Sequence, residues 1–210
     1  MLVVIEGIDG SGKSTLAAAL KEYLQGRGIP VVASKEPTDG FWGKRIKSLR
    51  YMGEMENGDA QRPVTPREEL ELFINDRKEH VEKVIEPALK EKKLVLLDRY
   101  YFSSIAYQGA LEGLDPEEIK RMNEEFAPPP DLVLLLTVPP GAGLSRITKN
   151  RKKRLDAFER EEYLSKVQKF FLELSEPYIL RIDASRAKDE VIQDAVNALG
   201  KVLAKVETSK

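Results

Sequence analysis

Nine consecutive residues, Gly7-Ile8-Asp9-Gly10-Ser11-Gly12-Lys13-Ser14-Thr15, contain the spacing G-x-x-x-x-G-K-[ST]. Glycines so placed let successive backbone N–H groups turn inward around a phosphate. A helix opening near Lys13 adds unpaired N–H groups and its positive dipole end. Lys13 would reach the β- and γ-phosphates, and the Ser14 hydroxyl would hold Mg2+. The pattern sits where that chemistry requires it, directly after the apolar run Leu2-Val3-Val4-Ile5 and at the head of a helical repeat running from Leu16 to Leu24. Gly7, Asp9, Gly10, Ser11, Gly12, Lys13, Ser14 and Thr15 are therefore candidate contacts to ATP or GTP with Mg2+. No guanine-reading Asn-Lys-x-Asp tetrad occurs. The short chain favours a kinase acting on a small acceptor over a switch or motor.

A second group of chemical residues follows the apolar run Leu94-Val95-Leu96-Leu97, which ends in Asp98-Arg99-Tyr100. In open α/β sheets ligands lie beyond the carboxyl ends of the strands, so Asp98 is expected beside the cradle. Its carboxylate can orient Mg2+ through water, and Arg99 can clamp a phosphate with its planar fork. A third group lies between Arg146 and Arg154, where Arg146, Lys149, Arg151, Lys152, Lys153 and Arg154 stand with no acid among them. This segment reads as a solvated loop, as a nucleic-acid patch, or as a lid that closes over ATP and supplies an arginine finger in cis. The nearby cradle weighs for the lid, over about residues 146–157.

The elements that must position these groups are legible as an alternation. Strands are expected near 2–5, 31–33, 94–97, 132–136 and 178–182. Helices are expected near 16–25, 44–51, from Pro66 onward with Pro87 kinking or ending it, 103–109, 116–126, 164–174 and 188–206. Short apolar strands alternating with helices predict an α/β fold, a five-stranded parallel sheet with helices on both faces, and right-handed crossovers. With no repeat, low-complexity linker or composition break, residues 1–210 are expected to form one domain.

Composition narrows the function classes. The 210 residues are 41% hydrophobic and 33% charged, enough for a sizeable core and too apolar for a disordered chain. Lys plus Arg number 34 and Asp plus Glu 35, a net charge of -1, which argues against a general nucleic-acid binder. There is no cysteine, so disulfides, a thiolate zinc site and a cysteine nucleophile are excluded. His80 is the only histidine, a poor basis for a His-rich metal site or a Ser-His-Asp triad. The longest apolar runs fall far short of the roughly 20 residues that span a bilayer. No basic leader precedes the first apolar stretch, so the cytoplasm is the expected location.

The residues after Asp98-Arg99-Tyr100 continue as Ser103-Ser104-Ile105-Ala106-Tyr107-Gln108-Gly109. This resembles the D-R-Y-x-x-S-x-x-A-Y-Q-G signature of thymidylate kinases, a family of P-loop nucleoside monophosphate kinases. Leu72-Phe73-Ile74-Asn75-Asp76-Arg77 with His80 resembles that family's L-F-x-A-D-R-x-x-H helix. Lys35-Glu36-Pro37 is similar to its R-E-P turn, and Asp156-Ala157-Phe158-Glu159 to the D-R-F-E segment after its lid. Together with the cradle, the motifs run in the family's order over about residues 2–182.

The resemblance implies a P-loop NTPase fold, ATP-dependent phosphorylation of dTMP to dTDP, ATP and Mg2+ as cofactors, and a homodimer. Charge balance and the short apolar runs lead to the expectation of no nucleic-acid or membrane partner. Phe73 would stack on thymine while Arg77 and Gln108 reach the base edge. Arg99 would hold the acceptor phosphate, Asp9 would lie near the 3′-hydroxyl, and Tyr107 with Ser104 would crowd the 2′ position. Glu36 would organise the acceptor phosphate and metal shell, and Glu159 joins Ser14 and Asp98 as a candidate metal contact. Arg146 would pack on adenine, with Arg151 or Arg154 as the catalytic lid arginine. Without the resemblance, Phe73 reads as plain core, and Arg77 and His80 as a solvated helix face. The apolar residues Leu70, Leu72, Phe73 and Ile74, on more than one side of their helix, favour a dimer. Their alternative is burial of both sides within one chain. The chain departs from the family at Lys35, at Thr38-Asp39-Gly40, at Lys47 (where an Arg usually helps hold the acceptor phosphate) and at Thr137. Two readings stay open beside the main one: a P-loop kinase for another (deoxy)nucleotide or deoxynucleoside, and a regulatory nucleotide-binding module.

Overall fold

The computed structural model describes the backbone of residues 1–55, 64–148 and 157–208, and side chains at 1–49, 64–147 and 161–204. Strands β1 (Leu2–Gly7), β2 (Val31–Lys35), β3 (Leu94–Asp98), β4 (Leu132–Thr137) and β5 (Ile179–Asp183) form a parallel sheet in the order β2-β3-β1-β4-β5. β1 is central. Ile5 lies opposite both Asp98 of β3 and Leu134 of β4, so the ends of the three central strands come together at one edge.

Every residue of β1 and β3 is buried, as continuous apolar runs in a parallel sheet require. Successive side chains point to opposite faces. Leu2, Val4, Val95, Leu97, Val133 and Leu135 therefore meet Phe102 and Phe171 on one face. On the other, Val3, Ile5, Leu96 and Leu134 pack against Leu16, Leu20, Leu24, Ala195 and Leu199. Those last five come from helices α1 (Lys13–Gly26) and α9 (Lys188–Thr208). The remaining helices are α2 (Phe41–Met55), α3 (Pro66–His80), α4 (Glu86–Lys90), α5 (Tyr101–Tyr107), α6 (Pro116–Glu124), α7 (Pro140–Thr148) and α8 (Ala157–Glu173). The doubly covered parallel sheet is the one the alternation predicts.

Some boundaries differ from the sequence reading. α2 starts at Phe41 rather than near Lys44 and runs further, to Met55. α5 begins at Tyr101, two residues before Ser103, because the chain turns into the helix immediately after Arg99. α3 starts at Pro66 as expected, under a reciprocal cap between Thr65 and Glu68. It does not end at Pro87. A π-helical turn, Val81–Ile85, intervenes, and the Glu86 amide donates to the Val81 carbonyl five residues back. That wide turn sets Pro87 in the first turn of α4, where its missing N–H has no helical partner to lose.

Leu70 and Ile74 join the main core beneath α3, while Leu72 and Phe73 pack with Ile46, Trp42 and Leu49 of α2. Both apolar sides of α3 are thus covered within the chain. The pattern that pointed to a second copy is accounted for by α2, and a dimer must rest on other grounds.

Candidate active site

The cradle is built where β1 runs into α1. Gly7 has φ 138°, and a Cβ there would lie 2.4 Å from the Leu136 carbonyl oxygen. Gly10 has φ 79°, and its Cβ would lie 2.1 Å from the Gly143 carbonyl oxygen. Only glycine meets both demands, so the loop is pressed against β4 and α7, and within it the Ser11 amide donates to the Ile8 carbonyl at 3.2 Å. Lys13, 6% exposed, lies along the loop and donates from Nζ to the carbonyls of Gly7 (2.9 Å) and Ile8 (2.8 Å). Burial, aided by the Arg99 charge, brings its ammonium down to about 8 against the pull of Asp9, Asp98 and Glu6. A phosphate entering the loop supplies the negative charge that this ammonium otherwise seeks in carbonyls.

Ser14, at the head of α1, donates its hydroxyl to Asp98 Oδ2 at 2.5 Å. A hydroxyl and a carboxylate together make a hard oxygen pair suited to Mg2+, which takes few protein ligands and completes its shell with water and phosphate. Among the described residues no group of three or more Asp, Glu, His or Cys is gathered as a metal cage. The residues present therefore fit a metal carried in with a nucleotide.

Arg99 follows Asp98 with φ 74°, a left-handed conformation rare outside glycine. Its guanidinium pairs with Asp9, donates to Ser103 Oγ at 3.0 Å and to the Tyr107 hydroxyl at 3.4 Å, and lies 4.9 Å from the centre of the Tyr107 ring. The Tyr107 hydroxyl also accepts the Asp9 amide at 2.9 Å. Burial opposes the charge on Arg99, but Tyr107 and Asp9 outweigh it and hold the proton more tightly than usual. Asp9, Arg99 and Tyr107 thus form one unit at the mouth of the cradle.

A second polar unit lies behind it. Glu36, at the end of β2, is buried, and its carboxylate accepts from Arg77 Nε at 2.9 Å and lies 3.1 Å from His80 Nδ1. Arg77 also donates to Asn123 Oδ1 at 2.5 Å and Ser104 Oγ at 3.1 Å, and His80 Nε2 meets Ser34 Oγ at 2.8 Å. Burial pushes the Glu36 carboxyl up, but Arg77 and His80 more than offset this and hold it below its ordinary value. Arg77 is 1% exposed and His80 3%, so the solvated-face reading of both is corrected. α6 and the β2 end cover what helical spacing alone leaves open to water. Gln108, 2% exposed, donates to Glu69 at 3.0 Å. Lys47 donates to the Thr38 carbonyl at 2.7 Å and to Asp39 at 2.6 Å.

A cleft of about 790 Å3 runs along the cradle. Asp9, Ser14, Thr15, Glu36, Asp98 and Arg99 are among the residues that line it. At the far end Arg146 donates to the Ala184 carbonyl at 3.0 Å and lies 3.4 Å from the Gly10 carbonyl. The structure thus gathers Gly10–Thr15, Asp98, Arg99, Glu36 and Arg146 on one cleft, whereas Phe73, Arg77, Ser104 and Gln108 are buried and do not line it. Arg151 and Arg154 fall outside the described residues, and Glu159 outside the described side chains.

Four residues at the site, Glu6, Asp76, Asn123 and Ser34, have no role in the sequence reading. Glu6, wholly buried in β1, accepts from the Tyr100 amide (2.8 Å), the Ser103 amide (3.1 Å) and the Ser103 hydroxyl (2.7 Å). Burial pushes its carboxyl up to about 7 despite these donors. Asp76 fixes the turn after Pro37 by accepting from the Thr38 amide (2.8 Å) and hydroxyl (2.6 Å). Asn123 and Ser34 complete the partners of Arg77 and His80. A carboxylate inside an apolar strand was the available signal for Glu6; Asn123 and Ser34 carry none.

This chain is similar throughout to proteins of one kind. A family model described as thymidylate kinase matches residues 5–195. A thymidylate kinase of Desulfotalea psychrophila is 46% identical over 202 residues, covering 96% of this chain and 95% of that one. A probable thymidylate kinase of Archaeoglobus fulgidus is 44% identical, with 92% of each chain covered. The crystal structure of thymidylate kinase from Ehrlichia chaffeensis matches with a TM-score of 0.73 and 28% identity, over 95% of this chain and 98% of that one.

Proposed function

The chain belongs to the thymidylate kinase family and is an enzyme that phosphorylates dTMP to dTDP; we propose that ATP with Mg2+ is the phosphoryl donor and assign the residues that carry the reaction. The carrying observation is that the cradle, the Ser14–Asp98 oxygen pair and Arg99 line one cleft. ATP lays its β- and γ-phosphates on the amides of Gly10, Ser11, Gly12, Ser14 and Thr15, with Lys13 against them. Arg146 covers the adenine end. Ser14 and Asp98, with Glu159 as a further candidate, would hold Mg2+, which would supply neutralisation of phosphate charge.

Arg99 releases Asp9 and takes the acceptor phosphate, and Glu36 and Lys47 border that phosphate. Asp9 is then left beside the sugar. Phe73 stacks on thymine, Arg77 and Gln108 set its edge, and Ser104 and Tyr107 exclude a 2′-hydroxyl. The acceptor phosphate is already an oxyanion, so no strong base is needed. The protein aligns two phosphates in line and balances the charge that spreads over the transferring group, with Lys13, Arg99 and Arg151 or Arg154 as its cations. A single domain over residues 1–210, a lid at about 146–157, a cytoplasmic location and a homodimer belong to the same reading, which the family resemblance supports.

An ADP-release assay over a panel of nucleoside monophosphates with ATP, GTP and metal-free controls tests it. Turnover is expected with dTMP far above dCMP and AMP, and only with Mg2+ present. Equal turnover of dCMP, or full activity in chelator, would overturn it.

A further inference from the structure

Glu6 stands next to the last residue of the central strand, and none of its surface is exposed. It shares a strand face with Leu2 and Val4, so it points into the apolar core beneath α5. A carboxylate there is unfavourable unless it is fully paired. Its three hydrogen-bond donors among the described residues all come from the turn that carries Arg99. The Tyr100 and Ser103 amides donate to Oε1, and the Ser103 hydroxyl donates to Oε2. The same Ser103 oxygen accepts Arg99 Nη1 at 3.0 Å.

A chain of hydrogen bonds therefore runs from the buried carboxylate through Ser103 to the guanidinium. The turn needs such support. Arg99 holds a left-handed backbone at φ 74°, and a non-glycine residue keeps that conformation only when its surroundings impose it. Ile5, the strand residue before Glu6, accepts the Arg99 amide at 3.0 Å, so β1 grips the turn on both sides of Arg99. The other contacts of the guanidinium differ in kind. Asp9 lies at the cleft with 44% of its side chain exposed, and the Tyr107 hydroxyl is at 3.4 Å. Ser103, itself half-buried, is the contact that links the guanidinium to the core-facing Glu6.

We propose that Glu6 is a positioning residue for phosphoryl acceptor binding, fixing Arg99 through the Ser103 hydroxyl and through the amides of Tyr100 and Ser103. The inference rests on the reading that Arg99 holds the acceptor phosphate. Glutamine at position 6 keeps an acceptor for the two amides but presents an N–H group to the Ser103 oxygen. The hydroxyl proton then loses its carboxylate, and Ser103 no longer offers Arg99 an oxygen polarised by a negative charge.

Steady-state kinetics on Glu6→Gln, Ser103→Ala, Arg99→Ala and the Glu6→Gln/Arg99→Ala double variant test this, with thermal melts in parallel. Glu6→Gln should raise the KM for dTMP roughly tenfold, the loss expected for one charge-assisted hydrogen bond, and lower kcat. The KM for ATP should stay within about twofold, and in the Arg99→Ala background Glu6→Gln should change the dTMP KM by less than about twofold. Ser103→Ala should shift the dTMP KM in the same direction and serves alone if Glu6→Gln does not fold. Equal rises in both KM values, or a full additional Glu6→Gln effect in the Arg99→Ala background, would show that Glu6 merely supports the fold. If Arg99→Ala itself leaves the dTMP KM unchanged, the role given to Arg99 fails first, and the inference falls with it.

Discussion

Ser14 and Asp98 are 84 positions apart, yet the hydroxyl of one donates to the carboxylate of the other at 2.5 Å. Parallel pairing of β1 with β3 accounts for this. Ile5 lies opposite Asp98, and the cradle leads from the end of β1 straight into the helix that begins at Lys13. The sheet thus brings a helix-head hydroxyl to a strand-end carboxylate before any ligand arrives. Preorganisation of this kind lowers the entropy that must be lost when phosphate and metal bind.

Asp98→Asn should keep the Ser14 contact but remove the charge. Activity, or the Mg2+ concentration giving half of it, should worsen roughly 10- to 100-fold, as changes to metal-supporting groups typically do. A Mg2+ titration at saturating ATP and dTMP reads this. An unchanged metal requirement with normal turnover would remove Asp98 from the metal site.

Gly10→Ala tests the packing of the cradle. The new Cβ would lie 2.1 Å from the Gly143 carbonyl and would sit on a residue at φ 79°. Either the loop or α7 must move, at about 1–3 kcal/mol for a conformation this unfavourable. A lower melting temperature and a raised KM for ATP are expected together. A variant with wild-type ATP KM would mean the loop need not touch α7 to bind phosphate.

The cradle was legible because its chemistry is local: nine adjacent residues carry the turn, the charge and the hydroxyl. The three central strands are legible because burial on both faces leaves no polar alternation. What stayed hidden depends on partners distant in sequence. Helical spacing identifies the side of α3 that carries Arg77, but not that Asn123 of α6 and Glu36 just past β2 close over it. The same limit misled the dimer argument, since Leu72 and Phe73 are covered by Trp42 and Ile46 from another helix. Pro87 signals a break, but the π-helical turn that accommodates it leaves no residue signature. Glu6 falls between the expected strand at 2–5 and the cradle, and only the structure, which continues β1 to Gly7, shows it as a buried carboxylate with its own donors.

Glu6 and Glu36 should shape the pH dependence of stability in opposite senses. The Glu6 carboxyl is raised from 4.5 to about 7, so between those values the folded protein holds a proton that the unfolded chain has released. Its contribution is full below pH 4.5 and fades as pH rises through 7. Glu36 is held below its ordinary value of 4.5, so its contribution is present above that pH and is lost as pH falls further. Urea midpoints of the ligand-free protein should therefore fall less between pH 5 and pH 8 in Glu6→Gln than in the wild type. Glu36→Gln should instead flatten the acid limb. Slopes identical to wild type in both variants would contradict these assignments.

The two ends of the cleft should separate kinetically. Arg146 reaches the Ala184 and Gly10 carbonyls at the nucleotide end, so Arg146→Ala should raise the KM for ATP with little change for dTMP. Arg151 and Arg154 are assigned to the transferring phosphoryl group, whose charge redistributes only in the transition state. Their joint replacement by alanine should therefore lower kcat far more than it changes either KM. Loss of an arginine finger lowers turnover by about 10³-fold or more. Single-turnover measurements at saturating ATP and dTMP exclude product release as the slow step. If the double variant kept near-normal single-turnover rates, the basic segment would be a solvated loop, and charge balance would fall to Lys13 and Arg99 alone.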